Sequence, residues 1–249
     1  MPDIFFIHPL YQSCIYKKIQ HSLSNSLLFL YPDSMKRFFF FGVLFVANLL
    51  MAKTENSIKV ACIGDSLTAG SHINRNKNYP MKLSLMLGER YKVKSFGVGG
   101  ATLQESGDRP YMKQRAYQDA LRYDPDIVLI MLGTNDSKAK NWASHQNFSV
   151  DAKVLINSFP KALKNNRIYV LYPPPVFGDG NYSINGNVLG LEIIVLLKDV
   201  VRELKLQSID LHSALKDKIA LFPDYVHPNE LGASEIAEII YRTLTSAKL

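Results

Sequence analysis

The sequence is poor in cysteine and tryptophan, with two of the first and one of the second in 249 residues. Of the cysteines, Cys14 lies in a stretch expected to be removed. Cys62 sits inside the apolar run Lys59-Val60-Ala61-Cys62-Ile63. No internal disulfide is then possible in a processed chain, and Cys62 reads as a small buried core residue with no metal or redox role. Runs of like charge are missing too. The formal charge is +7, but the lysines and arginines are scattered, which argues against a nucleic-acid partner and leaves an acidic substrate or surface open. There is no internal repeat, no low-complexity segment and no Ser/Gly linker, so one domain is expected.

An apolar run long enough to span a membrane is also lacking. The longest, Phe38 to Ala52, is interrupted by Gly42 and Asn48 and falls short of the roughly 20 residues a spanning helix needs. It follows Met35-Lys36-Arg37 and ends in Met51-Ala52-Lys53. That order of charge, apolar core and small residue is that of a secretory signal. We read residues 1–52 as an N-terminal extension plus signal, with Met35 as the true start and cleavage near Ala52. An uncleaved anchor with a short tail is the alternative. The expectation is a secreted or periplasmic domain over residues 53–249, with no stable membrane span after cleavage.

From Ser57 onward, short apolar runs alternate with amphipathic stretches of helical length. This predicts an α/β domain, a parallel sheet covered by helices on both faces. Strands are expected at 58–63, 91–96, 127–132, 168–172 and 208–211, and the third, IVLIML, is apolar throughout, as a central strand should be. Helices are expected at 79–87, 111–122, 150–163, 189–204 and 233–244. A five-stranded sheet of order 2-1-3-4-5, in a three-layer flavodoxin-like sandwich, would put the loops after the first three strands side by side on one edge.

Four segments carry chemistry. Gly64-Asp65-Ser66-Leu67-Thr68-Ala69-Gly70 places a hydroxyl at the end of the first strand, although Gly-Asp-Ser is also ordinary turn chemistry. Gly97-Val98-Gly99-Gly100-Ala101-Thr102 and Gly133-Thr134-Asn135-Asp136 each offer a donor suited to an oxyanion, the Gly100 N–H and the Asn135 amide. Either could instead be a tight turn, and the glycines do not complete a nucleotide fingerprint, because Thr102 stands where the last glycine would be. Asp224-Tyr225-Val226-His227-Pro228-Asn229 sets an acid three residues before a histidine, a spacing that lets the carboxylate fix the imidazole's tautomer. His72, His145 and His212 lack an acid at that spacing.

In order and placement these blocks, GDSLTAG, GVGGAT, GTND and DYVHPN, resemble those of the GDSL (SGNH) hydrolase family from about Ile58 to the C-terminus. The resemblance implies a serine esterase with Ser66 as nucleophile and Asp224 and His227 completing the relay. It also implies an oxyanion hole made by the Ser66 N–H, the Gly100 N–H and the Asn135 side chain. No metal or organic cofactor is implied.

The family frame serves several esters, so the carrier must be read from loops. The polar loop SKAKNWASHQ (137–146) and the little length spare for an apolar lid favour a small acyl group, acetyl, on a soluble carrier such as a saccharide. A lysophospholipid or other lipid ester is the alternative, and a glycan-binding protein without turnover a second. Transfer of the acyl group to another alcohol would use the same residues. Asp65, Trp142 and Tyr172 are candidates for substrate contact, with Tyr111, Phe177 and Tyr182 as further pocket walls. Trp142 could equally anchor its loop in the core.

Overall fold

A computed structural model divides the chain into two units, Met1–Glu55 and Asn56–Leu249. It describes residues 57–246 apart from 144 and 178–180. The readings that concern Cys14, the start at Met35 and the signal lie outside the described residues. Among the described residues no helix is long and apolar enough to cross a membrane.

Five strands form one parallel sheet, β1 (Ile58–Gly64), β2 (Tyr91–Gly97), β3 (Ile127–Met131), β4 (Ile168–Tyr172) and β5 (Gln207–Asp210), in the order β2-β1-β3-β4-β5. Strand β3 is buried along its whole length and feeds both faces. Val128 and Ile130 pack into one cluster; Ile127, Leu129 and Met131 pack into the other. This double burial is why its sequence is continuously apolar rather than alternating.

The helices are α1 (Ser66–Ala69), α2 (Tyr79–Leu87), α3 (Arg115–Tyr123), α4 (Ala139–Trp142), α5 (Phe148–Asn157), α6 (Pro160–Lys164), α7 (Gly186–Val188), α8 (Ile194–Leu204), α9 (Leu211–Ala214) and α10 (Glu230–Ser246). Helices α3, α5 and α8 cover one face with Ala120, Phe148, Leu155 and Leu197. Helices α2 and α10 cover the other with Leu83, Ile236, Ile240 and Leu244. The spacing of Ile236, Ile240 and Leu244 keeps one stripe of α10 on the sheet, and each such side chain contributes about 1.5–3 kcal/mol by burial. Helix α2 starts where Asn78 accepts the Met81 N–H at 3.0 Å, and it has Pro80 in its first turn, where a missing N–H costs nothing.

Three expected helices differ in detail. The stretch 111–122 begins as a single 3₁₀ turn, Tyr111–Lys113, and Gln114 is extended before α3 starts. The stretch 150–163 is broken into α5 and α6 because Pro160 supplies no N–H and opens a new first turn. Between α7 and α8 the chain makes a wide π turn, Leu189–Ile193. Strand β5 ends a residue before its expected limit, because Asp210 accepts the Ser213 N–H at 2.9 Å and caps α9.

Register decides the site. Gly64 pairs with Gly97 on β2 and with Met131 on β3, so three strands end level. The segments that follow them emerge together on the carboxyl edge, where parallel sheets bind ligands.

Candidate active site

Ser66 opens α1 directly after β1. Asp65 caps the helix, its Oδ1 accepting the Leu67 N–H at 2.9 Å, and Gly70 closes it in the left-handed region. This one-turn helix lies tight against β2, since a Cβ on Gly97 would come within 2.3 Å of the Ala69 nitrogen. The turn leaves the Ser66 N–H without an intrahelical partner and its side chain half-buried at the edge.

The loop before α10 brings the base. Ser66 Oγ lies 2.8 Å from His227 Nε2, and His227 Nδ1 donates to Asp224 Oδ2 at 2.8 Å. The other carboxylate oxygen of Asp224 accepts the Val226 N–H at 3.0 Å and the His227 N–H at 2.6 Å. The acid therefore reads the backbone of the same turn that carries the imidazole. Burial pushes the Asp224 carboxyl up, but the hydrogen bonds from His227 and Val226 and the His227 charge outweigh it and hold the group at about 2. His227 is 6% exposed, and burial lowers its pKa against the opposing pull of Asp224, with His72 lowering it further. The base is thus neutral and oriented at neutral pH.

The segments after β2 and β3 lie on the same sheet edge. Gly100 has φ of 76°, a conformation that suits glycine, and its N–H has no acceptor among the described residues. Asn135 Nδ2 donates to the Ala101 carbonyl at 3.2 Å and reaches Asp65 Oδ2 at 3.4 Å. It therefore stands between the block after β1 and the block after β2. Asp136, fully buried, accepts the Leu103 N–H at 2.8 Å and the Gln104 N–H at 2.9 Å and ties the same blocks together. Burial raises the carboxyls of both Asp65 and Asp136 to about 7.

The residues expected to touch substrate are mostly inside. Asp65 is fully buried behind the serine as a helix cap. Trp142 is 8% exposed, its Nε1 donates to Glu192 at 2.7 Å, and its ring stacks on His145. It anchors its loop. Tyr172 is buried in β4, and Tyr111 is buried with its hydroxyl on the Phe96 carbonyl at 2.8 Å. Phe177 packs on Phe222. Only Tyr182 stands at the site, its edge toward His227 and its hydroxyl donating to Asp224 Oδ2 at 3.3 Å. Cys62 is fully buried, and burial pushes its thiol up to about 12.

Reading by sequence spacing missed His72. It lacks an acid nearby in sequence, yet its Nδ1 lies 3.9 Å from Asp224 Oδ2 and its ring stacks on His227 at 3.9 Å between centroids. His72, Asp224 and His227 are the only trio of metal-type donors within 4.8 Å of one another among the described residues. His227 is already hydrogen-bonded to Ser66 and to Asp224, and the two imidazoles stack. Beside Ser66 a shallow cleft of ≈ 170 Å³, open to solvent, is bounded by Gly70, Ser71, His72, Ile73 and Pro228.

The sequence matches the model of the GDSL-like lipase/acylhydrolase family over residues 62–234. The chain belongs to that family. A curated relative, the acetylxylan esterase of Xylanibacter ruminicola, is 36% identical over 257 aligned residues, covering 90% of this chain and 53% of the relative. The chain thus spans about half the length of that protein. Among solved structures, the acetyl xylan esterase AlAXEase superposes with a TM-score of 0.61 at 21% identity, over 75% of this chain and 100% of that one. The aryl esterase of M. smegmatis superposes with a TM-score of 0.61 at 18% identity, over 76% and 99%. These likenesses show that the GDSL fold is shared.

Proposed function

We propose that this GDSL-family chain is a serine carboxylic ester hydrolase that removes acetyl groups from a saccharide carrier. The observation that carries the reading is the unbroken line from Ser66 Oγ through His227 to Asp224, with both hydrogen bonds at 2.8 Å. His227 Nε2 takes the Ser66 proton as Oγ bonds to the ester carbonyl carbon. The charge that develops on the carbonyl oxygen is held by the Ser66 and Gly100 N–H groups and by Asn135, which gives up its longer contact to Asp65. Collapse breaks the bond to the carrier oxygen, and His227 returns the proton to that leaving alcohol. A water, deprotonated by the same imidazole, then bonds to the acyl carbon and releases Ser66 and the acid.

The small acyl group is supported by the small size of the cleft beside Ser66, and the saccharide by the acetylxylan esterase relative. The signal-like segment from Met35 to Ala52 supports export, to the periplasm or beyond the cell.

A series of p-nitrophenyl esters from acetate to palmitate tests the reading. Turnover should be greatest on acetate and abolished in Ser66→Ala. In Asn135→Ala, kcat should fall by about 10²–10³ with the fold retained. A preference for long chains would move the substrate to lipids, and turnover that survives Ser66→Ala would end the proposal.

A further inference from the structure

Arg109 is exposed, yet it is held in place beside the oxyanion donors. A Cβ built on Gly100 would lie 3.8 Å from Arg109 Cδ and 4.0 Å from its Nη1, so the side chain runs beside the glycine assigned above to the oxyanion. Its backbone is fixed. The Thr102 N–H donates to the Arg109 carbonyl and the Tyr111 N–H to the Thr102 carbonyl, each at 2.9 Å. Asn141 joins this loop to the oxyanion block, with Nδ2 on the Asn135 carbonyl at 2.8 Å and on Asp108 Oδ1 at 2.9 Å.

The acids of the loop are already paired with other cations. Glu105 pairs with Lys113 at 2.9 Å, and Asp108 pairs with Lys140 at 2.7 Å. Arg109 has no ion pair among the described residues. Lys138 adds its charge to the same rim, where it lowers the pKa of both Asp65 and Asp108. A structural arginine on a surface with acids this close would be expected to take one of them. This one is left without an ion pair among the described residues, on an anchored loop beside Gly100.

We propose that Arg109 is a specificity-determining residue that binds a carboxylate on the carrier, so that the substrate is an acetyl ester of a uronate-bearing saccharide. The inference rests on the ester-hydrolase reading above. A guanidinium offers two parallel N–H groups that match the two oxygens of a carboxylate, and one such contact fixes the sugar's orientation as well as its affinity. Lys138 attracts the same group at longer range, and the excess of lysine and arginine over acids that remains in residues 53–249 favours approach of an acidic chain.

The test compares the wild-type chain, Arg109→Gln and Arg109→Lys on three substrates. These are p-nitrophenyl acetate, an acetylated neutral xylo-oligosaccharide, and an acetylated xylo-oligosaccharide that carries glucuronic acid. Arg109→Gln should raise KM for the acidic oligosaccharide about tenfold, as loss of one charge-assisted pair does. It should leave kcat on that substrate, and both parameters on the other two, unchanged. Arg109→Lys should recover only part of the loss, and added salt should raise the wild-type KM for the acidic substrate alone. An unaltered KM for the acidic substrate would overturn the proposal. So would an equal loss on all three substrates, which would assign Arg109 to the oxyanion or to the fold. Either result leaves the hydrolase reading intact, because wild-type turnover of the neutral substrates tests that separately. Absence of Ser66-dependent turnover on all three would end both.

Discussion

His227 is held between groups that act on its charge in opposite directions. Burial and His72 disfavour the imidazolium, while Asp224 favours it, and the net effect lowers the pKa below the ordinary 6.5. The groups facing the ring are His72, Asp224, Tyr182 and Ser66. Because the base must be neutral to accept the serine proton, kcat/KM for p-nitrophenyl acetate should rise with pH along a limb whose midpoint lies below 6.5. In His72→Phe the ring stack is kept and the charge removed. A charged His72 opposes protonation of His227, so its loss lets the base protonate more readily. The limb should then move to higher pH, with the plateau retained. An unmoved limb would show that His72 only packs. Tyr182 belongs to the same surroundings, and its backbone takes φ of 63°, as does Ser183 at 60°. An aromatic residue held in the left-handed region is strained, and such strain clusters at functional sites.

Among the elements, α1 carries the greatest consequence for its size. Four residues long, it is capped by Asp65 at one end and by Gly70 at the other, and the absent side chain of Gly97 lets it sit on β2. Gly97→Ala would drive a methyl into the Ala69 backbone, which cannot rotate away. We expect a loss of about 1–3 kcal/mol in urea unfolding, as for overpacked sites. The drop in kcat should be larger than the stability loss alone explains, because the Ser66 end of α1 must shift. Wild-type stability and kcat in this variant would refute the packing argument. The strand sequences were legible because each is an apolar run of the right length, and β3 was recognised as central from its unbroken apolarity. Breaks at Gln114, Phe159 and the π turn were not legible. Apolar periodicity continues through them; Pro160 was the one residue that signalled a break, at Phe159, and periodicity alone passes over it, whereas Gln114 and the π turn carry no such residue.

For the whole molecule, the fully buried acids and the half-buried Asp224 set opposite pH dependences. Asp65 and Asp136 have folded pKa values raised from 3.8 to about 7. The folded state holds their protons more tightly, so the stability they contribute is complete below the unfolded value and is lost as pH rises through about 7. Asp224, lowered to about 2, behaves in the opposite sense and loses its contribution as pH falls toward that value. The melting temperature should therefore peak at mildly acidic pH and decline through neutrality. Asp65→Asn keeps an oxygen for the Leu67 N–H and removes one of the two buried charges. The decline should be shallower by a few degrees, read as the difference in Tm between acidic and alkaline buffer. An identical slope in the variant would show that Asp65 does not titrate in this range.

By itself the sequence determined the sheet and its strand order, and it singled out Ser66, Asp224 and His227, which lie within hydrogen-bond distance of one another in line. Alternating apolar runs admit few topologies, and the four blocks carry their chemistry within short spans such as Asp224 to His227. Only the tertiary structure decided what surrounds that chemistry. The burial of Asp65, Trp142 and Tyr172, the stacking of His72 on His227 and the position of Arg109 over Gly100 all join residues far apart in the chain. Side-chain direction and long-range packing set these relations, and local residue type does not encode them.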